Sequence, residues 1–528
     1  MNSSELRLRR PRQRGVALIT ALMVTTVLSM LIGASLWVSV THYGLNFAQA
    51  RSESALLLAE GGINDELAYI AANVGNTDVT TISSRYDYTN PGVETLQYPG
   101  ENHAPYGRKG SLSGTTNESY WVCTSANDWS KTAGTTPTPW DGKSGSFYVT
   151  STAYVKGSWR RVSIGANGLS IFSLYAIFGL ATYSNSSNAI GLSSANVDIV
   201  GTAGTNGQVS NSSSTFLASN IINANTAANS SGQFSSSNLK TGGTLYTQGA
   251  RVTYPTTVNV LKRLKGLTTL TDAQAWANLK ANNSNSTGVY TYKAGATSST
   301  ISTANCSSAG TVSSTFNNNT GSGNPKIGAW SIARAKPGTS NKISTLIFEP
   351  GDYYFEKFVL DYNAATEFVI DPLALASGGT PGQVRFWIYD PSNGTQNDIV
   401  SLPIVATSTS GTPDPTLFRL YYGKDGKTFT FARPSNVTDI NGNAVTGDFN
   451  VYGGVYAVTK VPGDSNTGTG IGFSGLTSAA AGRIALKGSL LADKISFQGY
   501  CQITYVATGN INDVALGAGF TGGYSDGG

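Results

Sequence analysis

Histidine is almost missing from this chain: 528 residues hold two, His42 and His103. A count of two excludes a histidine-based zinc site. A Ser-His-Asp arrangement would have to use His103, which stands between Asn102 and Ala104 with no nucleophile-elbow sequence nearby. Cysteine is scarce as well. Cys123, Cys306 and Cys501 are far apart and odd in number, so at most one intrachain disulfide forms, and the sequence does not say which. No CxxC pair exists, which argues against thiol-based zinc or redox chemistry, and at least one buried free thiol is expected. Charged residues are only 12%. Residues 1–15 carry five Arg and one Glu, so of the net +5 only about +1 belongs to the rest. Beyond those residues there is no electrostatic footprint for nucleic acid. Apolar runs long enough to cross a bilayer are also lacking, with one exception.

That exception is Val16 to Val40, about 25 uncharged residues where a spanning helix needs ~20. Arg7, Arg9, Arg10, Arg12 and Arg14 precede it against a single acid, Glu5. They are expected to hold its start on the cytoplasmic side, leaving everything after His42 outside. Ala21, Thr25, Ser29, Gly33 and Trp37 recur every four residues, a ridge of small groups of the kind that lets helices approach closely in lipid. Trp37 and Tyr43 are placed for the outer interface. Helical patterning continues from Phe47 to about Ala72. Leu56, Ala59, Ile63, Leu67 and Ile70 mark one apolar face, with Glu53, Asn64, Asp65 and Glu66 facing elsewhere.

Three readings of this N-terminus follow. Ala48-Gln49-Ala50 has the form of a signal-peptidase site, but the apolar stretch is far longer than the usual ~7–15 residues. A plain membrane anchor fits the hydropathy equally well. The third reading comes from Arg14-Gly15-Val16-Ala17-Leu18-Ile19-Thr20-Ala21-Leu22, followed by Arg51-Ser52-Glu53-Ser54-Ala55 and Leu58-Ala59-Glu60-Gly61-Gly62-Ile63. These resemble the leader and helix signature of the type IV pilin-like proteins, specifically the PilX-type minor pilins and pseudopilins. The resemblance implies cleavage by a prepilin peptidase between Gly15 and Val16, and retention of the helix. It also marks Thr20, Glu60, Gly61 and Gly62 as positions of the pilin helix motif. Major pilins carry a glutamate where this chain has Thr20, and its absence favours a low-copy or tip role over ordinary filament packing. The implied partners are other pilin or pseudopilin subunits, through the helix, and the inner membrane, spanned once with the N-terminus inside; the pilus or cell surface is the final location.

The length asks for two or three folding units, and 61 glycines, 26 tyrosines and abundant Ser, Thr and Asn suit an extracytoplasmic β-rich surface protein. The expected fold class is α+β to mainly β: a long N-terminal helix, a small antiparallel head, then a large β-solenoid-like or β-sandwich region. The boundaries read as a basic leader at 1–15, a helix at 16–72 with 16–40 transmembrane, a β head at 73–168, and the large β region at 169–528. Within the head, residues 73–119 read as loop, and Lys156-Gly157 joins two strands as a tight hairpin. Leu169–Leu180 reads as a buried entry to the β region. Residues 255–345 read as an insertion, with a capping box at Thr271-Asp272-Ala273-Gln274 opening a short helix. Tyr422–Lys427 reads as a hairpin turn with Asp425-Gly426 at its corner. From Ala181 to Lys240 short strands with Asn and Gly corners suggest stacked coils, but no strict period is visible there and a flexible low-complexity linker is the alternative.

Candidates for chemistry are weak. Asp352, Glu356, Asp361, Glu367 and Asp371 supply the carboxylates that a solenoid lyase or glycosidase would need, but spacing alone does not bring two together. Gly470-Ile-Gly472-Phe-Ser-Gly475 fits GxGxxG without the βαβ setting of a dinucleotide site. Asp439-Ile-Asn441-Gly-Asn443 is similar to a calcium loop with a misplaced glycine and Asn450 in place of a bidentate acid. Trp129, Trp140 and Tyr353 are candidate surface aromatics, with core packing as the commoner role. The expectation is a structural, non-enzymatic protein with no catalytic residue, no metal and no cofactor, calcium remaining open. The alternative is a membrane-tethered solenoid that binds or degrades polysaccharide.

Overall fold

The computed structural model describes residues 11–73, 96–223, 234–284, 289–293, 300–302, 316–318, 330–333 and 343–526, with gaps of up to ten residues inside the longer spans. One helix, α1, runs from Pro11 to Asn73, 63 residues and so roughly 95 Å. It begins ahead of the expected start and passes through Gly15 and Val16 unbroken. Pro11 sits at its first position, where a missing N–H costs nothing.

The second half of α1 is docked on an antiparallel sheet. Its strands are β1 (Arg108–Ser111), β2 (Glu118–Ser125), β3 (Gly145–Val155) and β4 (Ser158–Ser170), in that spatial order. Ala55, Leu58, Ala59, Ile63, Leu67 and Ile70 bury against Val122, Phe147, Val149 and Ile164, which is the face the spacing marks. β1 lies where the sequence reads as loop. Lys156 and Gly157 both adopt positive φ, 46° and 95°, giving the two-residue turn expected between β3 and β4. Behind the sheet, Arg161 is clamped by Glu101 at 2.7 and 3.0 Å and lies 4.0 Å from the Tyr98 ring.

The head sheet has two further strands from far along the chain. Strands Ala515–Phe520 and Ser525–Asp526, which read as part of the large β region, pair antiparallel with β4. The large region is therefore inserted within the head sheet, leaving it after Ser170 and returning before Ala515.

Inside that insertion the chain visits three parallel ladders in turn. Along the first, Tyr353, Phe386, Leu420, Val455, Leu490, Ile177, Ala203, Ile221 and Leu245 stand in register. The second stacks Val400, Phe431, Phe473, Phe497 and Leu192, and the third Ile404, Val451, Leu486, Ile503, Ile199 and Ala218. These rows form the main core. Phe431, Phe473 and Phe497 stack with centroids 5.3 and 5.2 Å apart. Chain order and spatial order differ. Strands from 177 to 247 run outward from the middle, while those from 351 to 505 run in from the far side. The halves meet where Ile495–Thr504 pairs with Ile190–Val200.

This arrangement corrects one expectation. Phe418–Tyr422 and Thr428–Ala432 do not pair as a hairpin; each pairs in parallel with strands of neighbouring coils, and Asp425-Gly426 turns the chain from the first ladder to the second. Strand pairing to flanking coils consumes the edges that a hairpin would have used.

The expected insertion supplies a cover. Its helices are α2 (Thr257–Lys265) and α3 (Asp272–Ala281), the latter opened by the Thr271–Gln274 capping box as read from the sequence. They lie over the outward aromatics of the first ladder, Trp387, Tyr421 and Tyr456. Trp276 of α3 stacks on Tyr389 at 4.4 Å. Beyond them, residues 289–293, 300–302, 343–348 and 369–372 form a four-stranded sheet.

Candidate functional site

The first half of α1 is bare. From Val16 to Phe47 every residue is exposed, with Val16 at 66%, Trp37 at 72% and Phe47 at 47%. The stretch is long and apolar enough to cross a membrane. Its threonine hydroxyls are satisfied within the helix: Thr20 donates to the Val16 carbonyl at 2.9 Å, Thr25 to Ala21 at 2.7 Å, Thr26 to Leu22 at 2.8 Å and Thr41 to Trp37 at 2.8 Å. Such bonds remove the cost of placing a hydroxyl in an apolar medium. The ridge of Ala21, Thr25, Ser29 and Gly33 lies open, and a Cβ at Gly33 would meet nothing within 4 Å.

One turn after Phe47 the head takes hold. Arg51 lies 4.5 Å from the Phe47 ring and donates to the Lys156 carbonyl at the β3–β4 turn, 3.2 Å away. Arg160 of β4 donates to Ser52 Oγ at 2.6 Å. The motif positions then separate by face. A Cβ at Gly62 would fall 2.5 Å from Ser151 Oγ and 2.7 Å from the Tyr120 ring, so glycine there lets helix and sheet touch. At Gly61 it would meet nothing within 4 Å, and Glu60 sits half-buried on the rim.

Glu66 does not face away from the dock as its spacing suggests: it is wholly buried, 3.6 Å from Arg108. Arg108 also pairs with Asp65, and Tyr120 donates to the same carboxylate at 3.2 Å. Burial opposes the Arg108 charge, but the Asp65 bond and the Glu66 field outweigh it and raise its pKa. An apolar-face pattern does not reveal this pair, because Arg108 lies on β1, where the sequence reads as loop.

The candidates for chemistry are otherwise occupied or lie elsewhere. His103 Nδ1 is 2.8 Å from the Ala104 carbonyl, and its ring is 4.7 Å from that of Tyr106. Asp352 accepts from Arg385 at 2.7 and 3.0 Å, from Lys265 at 2.7 Å and from Trp387 Nε1 at 2.8 Å. Burial alone would raise its pKa, but the two cations prevail and hold it well below the usual carboxylate range. Glu356 pairs with Lys280 at 2.6 Å. Asp361, Glu367, Cys306 and the Asp439–Asn443 loop lie outside the described residues, as do the positions before Pro11. Asp371 belongs to the edge strand 369–372. Gly470–Ser474 is a strand of the second ladder and not a phosphate-binding turn. Trp129, Trp140 and Tyr353 are all buried, so none is a surface aromatic. Among the described residues no three of His, Cys, Asp and Glu converge as metal ligands.

No family model and no curated protein matches the sequence. Among solved structures, the competence-associated pilin ComZ from Thermus thermophilus aligns over 90% of this chain and 97% of its own, at 10% identity and a TM-score of 0.30.

Proposed function

We propose that this chain is a minor-pilin-like subunit of a type IV pilus or related filament, held in the inner membrane before assembly and then carried into the fibre by α1. The observation that supports this most is the division of one continuous helix. Residues 16–47 are uncovered and apolar, whereas Ala55–Ile70 is fixed to a sheet, so the chain builds a rod and a rigid handle in one element. The residues around Gly15-Val16 resemble a leader cut by a prepilin peptidase, which would leave Val16 as the mature N-terminus. Thr20 replaces the glutamate of major pilins, and its hydroxyl is already bonded within the helix. It therefore brings no carboxylate to a neighbour's terminal amine, in keeping with a tip or low-copy position.

The inserted region, read as a three-sided solenoid, is the part displayed for priming or adhesion. It serves as a structural surface, with no enzyme activity and no cofactor. Its best-placed acid, Asp352, is engaged by Arg385, Lys265 and Trp387 and offers no free base. The decisive experiment is mass spectrometry of the mature N-terminus from cells with and without the prepilin peptidase. A chain beginning at Val16 only when the peptidase is present supports the reading. A chain beginning at Met1 in both, or at Arg51, sinks it.

A further inference from the structure

The helix dock is finished by the last residues of the chain. Beyond β4 the head sheet continues with the C-terminal strand, Ala515 opposite Ser170 through Phe520 opposite Ala166, and then Ser525–Asp526 opposite Ser163 and Val162. That C-terminal strand also lies against α1. Just before it, Asp513 is wholly buried. Its carboxylate accepts from Arg419 at 2.9 and 2.8 Å, from Gln383 at 3.3 Å and from Ser170 Oγ at 2.8 Å. Gln383 and Arg419 belong to successive coils, and Ser170 is the last residue of β4. The seat for Asp513 therefore exists only once those coils are stacked on one another and the head strand has been placed beside them. Arg385 stands next to Arg419 in register, so the neighbourhood is cationic before Asp513 arrives.

We infer that Asp513 and the strands Ala515–Phe520 and Ser525–Asp526 act as a clasp that couples completion of the inserted coils to closure of the helix dock. The coils build the seat, Asp513 enters it, and the strand that follows is thereby delivered to the open edge of β4. The coupling does not depend on the filament reading. If that reading holds, only a chain whose inserted region is folded presents a firmly held α1.

Hydrogen exchange on two variants tests it. In a chain ending at Val514, amides of 55–70 and 162–170 are expected to exchange at least ten-fold faster, about 1.4 kcal/mol, while those of 418–422 and 484–492 keep their protection. Unchanged protection at 55–70 overturns the inference. So does loss of protection in the coils as well, because the segment would then be part of a common core. In full-length Asp513→Asn the strand is present but its anchor is weakened, and amides of 162–170 are expected to speed up by a similar factor. Wild-type protection at 162–170 in that variant overturns the coupling too.

Discussion

Arg419 and Asp513, 94 residues apart, form a two-pronged ion pair at 2.9 and 2.8 Å in which neither side chain is exposed to solvent. Arg419 also donates to the Pro415 and Phe418 carbonyls, at 3.0 and 2.9 Å, and its guanidinium lies 4.7 Å from the Phe172 ring. A pair so well satisfied has a small net value against an apolar replacement, but breaking it leaves one charge buried alone. Asp513→Ala or Arg419→Ala is expected to destabilise the protein by about 3–5 kcal/mol. Changing both to apolar residues should cost less than either single change. Denaturation midpoints of the three variants check this, and an additive double variant would refute it.

Asp352 gives the stability a defined acid limb. Its carboxyl titrates well below the ordinary value of about 4 because Arg385 and Lys265 outweigh the effect of burial. A folded pKa below the unfolded one contributes stability that is fully present above about pH 4 and fades as pH falls toward the folded value. Asp352→Asn should therefore lower stability at pH 7 by about 3–5 kcal/mol and flatten its dependence below pH 4. Urea midpoints at pH 7, 4 and 3 measure both effects. A variant that loses stability in acid as steeply as the wild type would count against this assignment.

Much of α1 and its dock can be read from local pattern, because a helix answers to spacing over a few residues. The apolar face from Ala59 to Ile70, the Lys156-Gly157 turn and the Thr271 capping box all stand as local rules require. What the pattern hides is long-range. The pairing of Ala515–Phe520 with β4 joins segments more than 340 residues apart, and nothing near either one announces it. Asp425-Gly426 is a turn by any local rule, yet which strands it joins is decided by neighbouring coils. One long-range signal does stand in the sequence. Phe386, Leu420, Val455 and Leu490 stand in register at steps of 34, 35 and 35 residues, a repeat visible in Val384-Arg-Phe-Trp-Ile and Phe418-Arg-Leu-Tyr-Tyr. The other half hides any period, because Ile177, Ala203, Ile221 and Leu245 are 26, 18 and 24 residues apart. Of the candidate site, Gly61 and Gly62 are adjacent in sequence, and only the placement of Tyr120 and Ser151 tells them apart.

Cys123 and Cys501 are free and buried, one in the head and one among the coils. Burial pushes both thiols up to about 12. At pH 8 roughly one in ten thousand would be thiolate, and the reactive form is what an alkylating reagent needs. Iodoacetamide is expected to leave both unmodified in the folded protein and to label both in guanidinium. Peptide mapping reads the result, and rapid native labelling of Cys123 would mean that the head opens far more readily than its packing implies.

Gly61 and Gly62 should respond in opposite ways to the same substitution. At Gly62 a methyl group falls 2.5 Å from Ser151 Oγ and 2.7 Å from the Tyr120 ring, so the helix must lift from the sheet or those side chains must move. Overpacking of this kind costs about 1–3 kcal/mol, more than the ~0.5–1 kcal/mol that alanine returns inside a helix. Gly62→Ala is thus expected to lower the melting temperature. Gly61→Ala meets no atom within 4 Å and should raise it slightly or leave it unchanged. If α1 packs against neighbouring helices in a fibre, the open side at Gly61 is where a bulky residue does harm without unfolding the subunit. Gly61→Leu should then keep the wild-type melting temperature yet reduce the amount recovered in sheared filaments. Normal recovery of Gly61→Leu would remove Gly61 from the assembly surface, and equal destabilisation by the two alanine variants would show that the helix sits on the sheet differently.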